Sequence, residues 1–252
     1  MMGLKKNFPN LLTLGNLFSG IMAIMLLLNE NYLWATVFVF VGLFLDFFDG
    51  FAARLLKVSG EMGKQLDSLA DMVTFGVVPA FAMYQLMKSA FAEHGDTTLI
   101  DYESLGINLG LDTFFALPAF VIALFSALRL AKFNIDTRQS DSFIGVPTPA
   151  VTFFVLSLLL IWDMNLNETI RLIMSTPWVL FVLTIVLSML LVSEFRLIAL
   201  KFKDFSFANN KYRFVLIGLS LILLLVFKFV ALPLIFISYL LISLIQNITE
   251  KE

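Results

Sequence analysis

Long apolar runs separated by short polar segments follow one another along almost the whole chain. A helix that crosses a bilayer needs about 20 mostly apolar residues, and the pattern predicts eight such helices, some of them completed by polar flanks. The predicted spans are Asn7–Leu28, Tyr32–Phe47, Met72–Phe91, Phe114–Lys132, Val146–Trp162, Pro177–Val192, Phe214–Phe227 and Phe229–Ile245. Only Lys228 divides the last two, which can form a tightly turned hairpin, and Pro233 blurs their boundary. We therefore expect an all-α polytopic membrane bundle of about eight transmembrane helices.

The composition agrees with a membrane protein. Hydrophobic residues make up 60% of the 252 residues and charged residues 14%, whereas an average soluble domain has roughly 25% charged residues. No linker, low-complexity segment or internal repeat divides the chain, so one domain over residues 1–252 is predicted.

The basic residues predict the orientation. If the N-terminus is cytoplasmic and all eight spans cross, fourteen of the seventeen lysines and arginines face the cytoplasm, and Lys88, Arg171 and Lys228 face the other side. The positive-inside rule favours this arrangement, with both termini on the cytoplasmic side of the cell membrane. The acidic stretch Glu93–Asp112 is then external, and the basic stretch Ser193–Arg213 is internal.

Some kinds of chemistry are excluded by composition. The chain has no cysteine and one histidine, His94, so thiolate chemistry is impossible, and a Ser-His-Asp triad or a histidine-rich metal site is not expected. A metal would need oxygen ligands, which favour Mg, Ca or Mn.

Two aspartates mark the inner end of the second span. Asp46 and Asp49 are three residues apart, which puts both carboxylates on one face of a helix. Gly50 and Ala53 extend this face almost without side chains, so a ligand could approach the backbone there. Arg54 follows one turn after Gly50.

A second helix, after a break at Ser59–Gly60, repeats the pattern with Gly63, Asp67 and Asp71 at intervals of four residues. If the two helices pack together, four carboxylates converge near the cytoplasmic surface and repel one another, a cost that one or two divalent cations would remove. The alternative is a set of solvated charges on a loop. Ionisable residues at a membrane edge favour a functional interpretation.

The segment Leu45–Val73 resembles the signature of the CDP-alcohol phosphotransferases, D-x2-D-G-x2-A-R-x8-G-x3-D-x3-D. The matching residues are Asp46, Asp49, Gly50, Ala53, Arg54, Gly63, Asp67 and Asp71. The resemblance implies a core of six helices around a polar cavity open to the cytoplasm, and a homodimer. It also implies that the four aspartates bind two metal ions, Mg or Mn.

The same resemblance assigns further roles. The residues expected at the CDP group are Asn10, Thr13, Asp49, Gly50, Ala53, Arg54, Gly63 and Asp67. Asp71 is the implied general base. Two alternatives stay open: Arg54 could snorkel towards lipid head groups, and Asn10 and Thr13 could serve only as ordinary polar residues at a helix start.

Other segments resemble the phosphatidylserine synthase branch of this family. They are Asn7–Gly20, Ser126–Asn134, Phe143–Ala150 and the basic loop Ser193–Phe205. Arg129, Lys132 and Asn134 are candidates for binding serine or phosphate, although Lys132 and Val146 depart from the branch pattern. The basic residues could instead anchor the helix end by the positive-inside rule, and the basic loop could attract anionic lipid.

The resemblance to this branch implies transfer of the phosphatidyl group of CDP-diacylglycerol to the hydroxyl of L-serine, with release of CMP. The expected partners are these substrates, membrane lipids and a second copy of the chain, with no nucleic acid. Another activity of the family, such as phosphatidylglycerophosphate synthesis, is the nearest alternative. A cation transporter is more remote, because it would place its carboxylates near the bilayer midplane.

Overall fold

The computed structural model describes residues 2–58, 60–94, 111–135, 143–198 and 206–249. Most of the predicted external stretch Glu93–Asp112, part of the basic stretch Ser193–Arg213 and Ser59 lie outside these residues. The helices are α1 Met2–Leu28, α2 Tyr32–Leu56, α3 Glu61–Asp71, α4 Val78–His94, α5 Leu111–Ala116, α6 Val121–Ile135, α7 Thr148–Asp163, α8 Glu168–Met174, α9 Pro177–Val192, α10 Phe207–Phe227 and α11 Ala231–Thr249. A π-helical turn, Met72–Val77, joins α3 to α4, and 3-10 turns at Leu117–Phe120 and Lys228–Val230 join α5 to α6 and α10 to α11.

The predicted all-α architecture is confirmed, with two helices longer than expected. The second span continues past Phe47 to Leu56, and the third begins at Glu61 rather than at Met72. The two extensions carry Asp49, Asp67 and Asp71, so hydropathy ended the second span too early and began the third too late. These polar turns stay helical because they face a site inside the protein rather than lipid.

Several helices are long and apolar enough to cross a membrane. In the described residues these are Asn7–Leu28, Tyr32–Leu56, Glu61–Glu93, Asp112–Ile135 and Asn210–Thr249. Helices α7 and α8 form a bent pair at 111°, and α9 is a shorter apolar helix of 16 residues.

The segment Asn210–Thr249 is a hairpin. Its 40 residues are about twice the length that one crossing requires. The backbone of Lys228 leaves the helical region at φ 51° and ψ −121°, and Leu216 of α10 packs with Ile242 of α11. The predicted turn at Lys228 is therefore present, and Pro233 lies in the first turn of α11.

Helices α1 and α2 pack closely as an antiparallel pair around a turn at Glu30. The π turn inserts beside them: the Thr74 hydroxyl donates to the Asn16 carbonyl at 3.0 Å. A methyl group on Gly42 would come within 2.9 Å of the Thr74 side chain. The missing side chain of Gly42 therefore lets α1, α2 and the π turn meet.

The C-terminal hairpin holds a two-stranded sheet in place. Strand β1, Phe143–Ile144, pairs antiparallel with β2, Arg196–Leu197. Polar side chains at three positions of α11, four residues apart, bind this segment: the Tyr239 hydroxyl and the Asn247 amide donate to backbone carbonyls at 3.0 and 2.6 Å, and Ser243 accepts from the Ile198 N–H. One face of α11 thus braces the segment that precedes α10.

The outer surface of the bundle is apolar. Large side chains such as Trp178 and Leu225 are 76% and 83% exposed, while the buried core is formed mainly by α4, α7 and α9. In water this surface would aggregate, and together with the long apolar helices it makes the chain an integral membrane protein.

Gly145 offers a test of the fold at the sheet. Its φ is +76°, and a Cβ atom there would lie 2.5 Å from the Leu191 carbonyl oxygen. We expect Gly145→Ala to destabilise the protein by about 1–3 kcal/mol, the usual cost of such strain, seen as a lower Tm in detergent. Gly218→Ala is the matched control, since that helical glycine has open space around it. Equal Tm values for the two variants would contradict the described turn.

Candidate active site

The carboxylates come together through the break between α2 and α3. Lys57 ends α2 in a left-handed conformation, with its N–H directed to the carbonyls of Ala53 and Arg54. The chain then reverses and α3 packs against α1, which itself pairs with α2. Side chains from the end of α2 and from α3 therefore meet beside α1.

Three of the four predicted aspartates form a compact cluster. Asp46, Asp49 and Asp67 each offer a carboxylate oxygen, and these oxygens all lie within 4.8 Å of one another. The Asp46 carboxyl also interacts with that of Asp71. The structure thus brings all four residues to one place, with Asp71 at its edge.

Helix α1 supplies polar partners for two of the aspartates. The Thr13 hydroxyl donates to Asp49 Oδ2 at 2.5 Å, and the Asn16 amide donates to Asp71 Oδ1 at 3.2 Å. Both α1 side chains are buried. Sequence reasoning missed Asn16, although its spacing of three residues from Thr13 places it on the same helix face.

The π turn follows Asp71 directly. Its widened backbone leaves the Phe75 carbonyl to accept a hydrogen bond from the Thr152 hydroxyl of α7 at 3.1 Å. Single π turns within α-helices are frequent at functional sites. The turn is held to α1 by the hydrogen bond from its own Thr74 to the Asn16 carbonyl, and to α7 by the hydrogen bond from Thr152. These two contacts fix the end of α3 that carries Asp71.

A cavity of about 320 Å³ opens beside the carboxylates between α1, α2 and α3. Its lining contains all the residues predicted to meet the CDP group: Asn10, Thr13, Asp49, Gly50, Ala53, Arg54, Gly63 and Asp67. Pro9, Val58, Gly60 and Lys64 line it as well, and the sequence did not single these out. A Cβ atom added to Gly50 would meet nothing within 4 Å, so the space over this glycine is open to a ligand.

The candidates on α6 have different surroundings. Arg129 is buried, its guanidinium lies 5.7 Å from the centre of the Phe133 ring, and it interacts electrostatically with Asp71. Its Nε has no hydrogen-bond partner within the described part of the chain. Lys132 is exposed. The Asn134 amide donates to the Ser68 hydroxyl at 2.7 Å, so this residue contacts α3.

The donor set suits a hard cation. Carboxylate oxygens that converge from three or four side chains are the ligands that Mg, Mn and Ca prefer. Without a cation the negative charges would repel one another in a partly buried site. The aspartate cluster can therefore hold a metal ion.

Comparison with known proteins identifies related chains. A sequence model of the CDP-alcohol phosphatidyltransferase family matches residues 6–190. A relative from Bacillus subtilis (strain 168), named CDP-diacylglycerol–serine O-phosphatidyltransferase, is 40% identical over 141 residues, which cover 56% of this chain and 68% of the relative. A relative of the same name from Helicobacter pylori (strain J99) is 39% identical over 150 residues, covering 59% of this chain and 55% of the relative.

An archaeal relative is more distant. The archaetidylserine synthase of Methanothermobacter thermautotrophicus is 29% identical over 152 residues, covering 59% of this chain and 56% of the relative. The chain thus spans between about half and two thirds of the length of these relatives. The family match reaches the end of α9, and the hairpin of α10 and α11 lies outside it.

The carboxylate cluster predicts that stability depends on divalent cations. In EDTA, Asp46→Asn should raise the Tm of the detergent-solubilised protein, because it removes one repelling charge. Added Mn²⁺ or Mg²⁺ should raise the Tm of the wild type and have less effect on the variant, since binding to the folded state stabilises it. Asp163→Asn, at the end of α7, is the control and should leave the cation response unchanged. A cation response that is the same in all three proteins would argue against a metal site here.

Proposed function

The chain belongs to the CDP-alcohol phosphatidyltransferase family, and we propose that it transfers the phosphatidyl group of CDP-diacylglycerol to the hydroxyl of L-serine and releases CMP. The observation that carries this proposal is the aspartate cluster at the wall of a cavity lined by every residue expected to meet the CDP group. The names of the two bacterial relatives support serine as the acceptor.

The cavity fits the nucleotide part of the substrate. Its volume of about 320 Å³ falls within the usual range for small-ligand sites, roughly 300–1,000 Å³. Gly50, Ala53 and Gly63 would let the cytidine nucleotide lie against the helix backbones. Arg54 is exposed at the rim, where its guanidinium would add positive charge beside the phosphates.

CDP-alcohol phosphotransferases typically use a divalent metal, and the aspartate cluster supplies suitable ligands. We propose that two ions per protomer, Mg or Mn, are held by Asp46, Asp49, Asp67 and Asp71. When bound, the metal would neutralise the pyrophosphate charge and stabilise the leaving CMP.

Asp71 is the proposed general base. The hydrogen bond from Asn16 fixes its carboxylate, which would accept the proton of the serine hydroxyl as that oxygen attacks the phosphorus bearing the lipid. A new phosphorus–oxygen bond to serine forms, and the bond between this phosphorus and the bridging oxygen of CMP breaks. The phosphatidyl group is thereby moved from CMP to serine.

The acceptor is proposed to bind on the α6 side of the cluster. Arg129 is a buried cation that interacts with Asp71 and has an unpaired Nε within the described residues, so it could bind the serine carboxylate close to the base. Lys132 and Asn134 are proposed to assist from the end of α6. Lysine cannot make the paired contact with a carboxylate that arginine can.

An apolar cavity of about 620 Å³ lies on the other side of the same turns of α1 and α2. Phe8 and Leu12 on α1 and Phe48 and Phe51 on α2 line it, each within a few residues of the nucleotide cavity. We assign it to the acyl chains of the CDP-lipid. One substrate molecule would then place its CDP group in the polar cavity and its acyl chains in the apolar cavity, with the α1–α2 pair between them.

We further propose that the whole chain is one catalytic domain, that it forms a homodimer, and that it lies in the cell membrane with both termini and the active site facing the cytoplasm. The distribution of basic residues supports this orientation. The polar turns of α2 and α3 then lie at the cytoplasmic surface, where soluble L-serine is available.

Acceptor specificity tests the proposal directly. Purified protein with CDP-diacylglycerol and Mn²⁺ or Mg²⁺ should release CMP with L-serine and not with glycerol 3-phosphate or inositol phosphate. Asp71→Asn should reduce the rate by about 100-fold or more, the usual contribution of a general base, and chelation should abolish it. CMP release with glycerol 3-phosphate instead would indicate phosphatidylglycerophosphate synthesis. If no acceptor gives CMP release, the alternative that the chain is a cation transporter would be favoured.

Gly50 tests the nucleotide cavity. Gly50→Val would put methyl groups into the open space above α2, and overpacking of this kind costs about 1–3 kcal/mol, so we expect the KM for CDP-diacylglycerol to rise about tenfold. The Tm should not fall, because no atom outside the adjoining backbone of α2 lies within 4 Å of the added Cβ position. Gly218→Val, which is also open but lies in α10, should leave the KM unchanged. An unchanged KM for CDP-diacylglycerol in Gly50→Val would contradict the proposal that the nucleotide binds in this cavity.

A further inference from the structure

Three polar residues outside the carboxylate cluster join α3 to the end of α6. The Lys64 ammonium donates to the Asn134 carbonyl oxygen at 2.7 Å, and the Asn134 side-chain amide donates to the Ser68 hydroxyl at 2.7 Å. Lys64 and Ser68 are one turn apart on α3. We call this group of Lys64, Ser68 and Asn134 the interhelical clasp.

The hydrogen bonds of the clasp orient one another. The Ser68 hydroxyl donates to the Lys64 carbonyl at 3.2 Å, so its lone pairs are left to accept from Asn134. The Asn134 carbonyl lies in the last turn of α6, where carbonyls lack partners within the helix. A lysine ammonium is a suitable donor there, because its charge also complements the helix dipole.

The two helices that the clasp joins carry different parts of the proposed site. Ser68 follows Asp67 directly and lies less than one turn before Asp71, while Asn134 lies just over one turn after Arg129. Helix α3 packs against α1, whereas α6 packs against the π turn and α9. Polar side chains therefore connect the cytoplasmic end of α6 to the body that holds the carboxylates.

We propose that Lys64, Ser68 and Asn134 are positioning residues that set the separation between the aspartates of α3 and Arg129 of α6, and so shape the acceptor side of the site. The proposal rests on the proposed function, in which the aspartates serve the nucleotide and the base while Arg129 serves the acceptor. Lys64 also lines the nucleotide cavity, whereas Ser68 and Asn134 do not. Loss of the Ser68–Asn134 hydrogen bond would therefore displace Arg129 and leave the lining of the nucleotide cavity unchanged. Acceptor binding should therefore suffer more than binding of the CDP-lipid.

A distance measurement tests the clasp without relying on activity. The chain has no cysteine, so Gln65→Cys and Ile135→Cys introduce a pair of spin-label sites on two exposed positions, one on each helix. Ser68→Ala should broaden or shift the distance distribution between the labels. Ser68→Thr keeps the hydroxyl and should restore the original distribution. A distribution that is identical in Ser68→Ala and in the parent would overturn the clasp.

Steady-state kinetics test its role at the acceptor. Loss of one hydrogen bond changes an equilibrium by about fivefold, so Ser68→Ala should raise the KM for L-serine by about this factor and leave the KM for CDP-diacylglycerol within about twofold. Ser68→Thr should retain wild-type values. Ser220→Ala is the matched control, because Ser220 lines an apolar cavity between α7, α10 and α11 away from the site. Equal rises in both KM values, or a rise that Ser68→Thr does not reverse, would overturn the positioning role.

The two experiments separate failure of the clasp from failure of the proposed function. If the wild-type protein releases no CMP with serine while another acceptor works, the serine assignment fails and the KM comparison is made with that acceptor. If no acceptor works, the acceptor role fails together with the proposed function, and the label distances still decide whether the clasp fixes the helices. If activity with serine is present but the label distances and KM values do not respond to Ser68→Ala, only the clasp is overturned.

Discussion

Mutual repulsion among four aspartates governs the architecture of this protein. Bringing three carboxylate oxygens within 4.8 Å of one another near the edge of an apolar bundle is unfavourable unless charge is supplied and the helices are held in place. The packing of the surrounding helices meets the second of these conditions, because it holds the aspartates in place. Helix α1 pairs tightly with α2, α3 packs on α1, and the π turn after Asp71 is fixed by hydrogen bonds from two sides.

Helix α1 has a larger part in the site than its apolar sequence indicates. One of its faces carries Thr13 and Asn16, which bind an aspartate of α2 and an aspartate of α3 respectively. The same helix also lines the cavity beside the cluster and, on its other side, the apolar cavity assigned to acyl chains. A single helix thus connects the two halves of the carboxylate cluster to the two cavities that we propose hold the CDP and acyl parts of the substrate.

The sequence predicted the helical bundle from local patterns, and the resemblance to the family signature named residues that line the cavity beside the aspartates. Hydropathy reveals the apolar helices, and the spacing of aspartates and small residues reveals a shared helix face. The π turn, the role of Asn16 and the contact between Asn134 and Ser68 depend on how distant helices pack, so no local pattern specified them. Span boundaries failed at α2 and α3 for a related reason: hydropathy treats an aspartate as facing lipid or water, whereas here it faces a site within the protein.

The division of the carboxylate cluster between two helices has a consequence for biogenesis. Helices α1 and α2 leave the ribosome first, and this hairpin can already satisfy Asp49 through Thr13. Asp71 can accept the hydrogen bond from Asn16 only when α3 docks against α1. Docking also brings Asp67 close to Asp46 and Asp49 of α2. Capture of a cation would therefore accompany this late assembly step, since ligands on separate segments bind a metal only as they come together. A nascent chain deprived of the cation would therefore have to dock its third span against the unscreened charges of α2, which would slow this step.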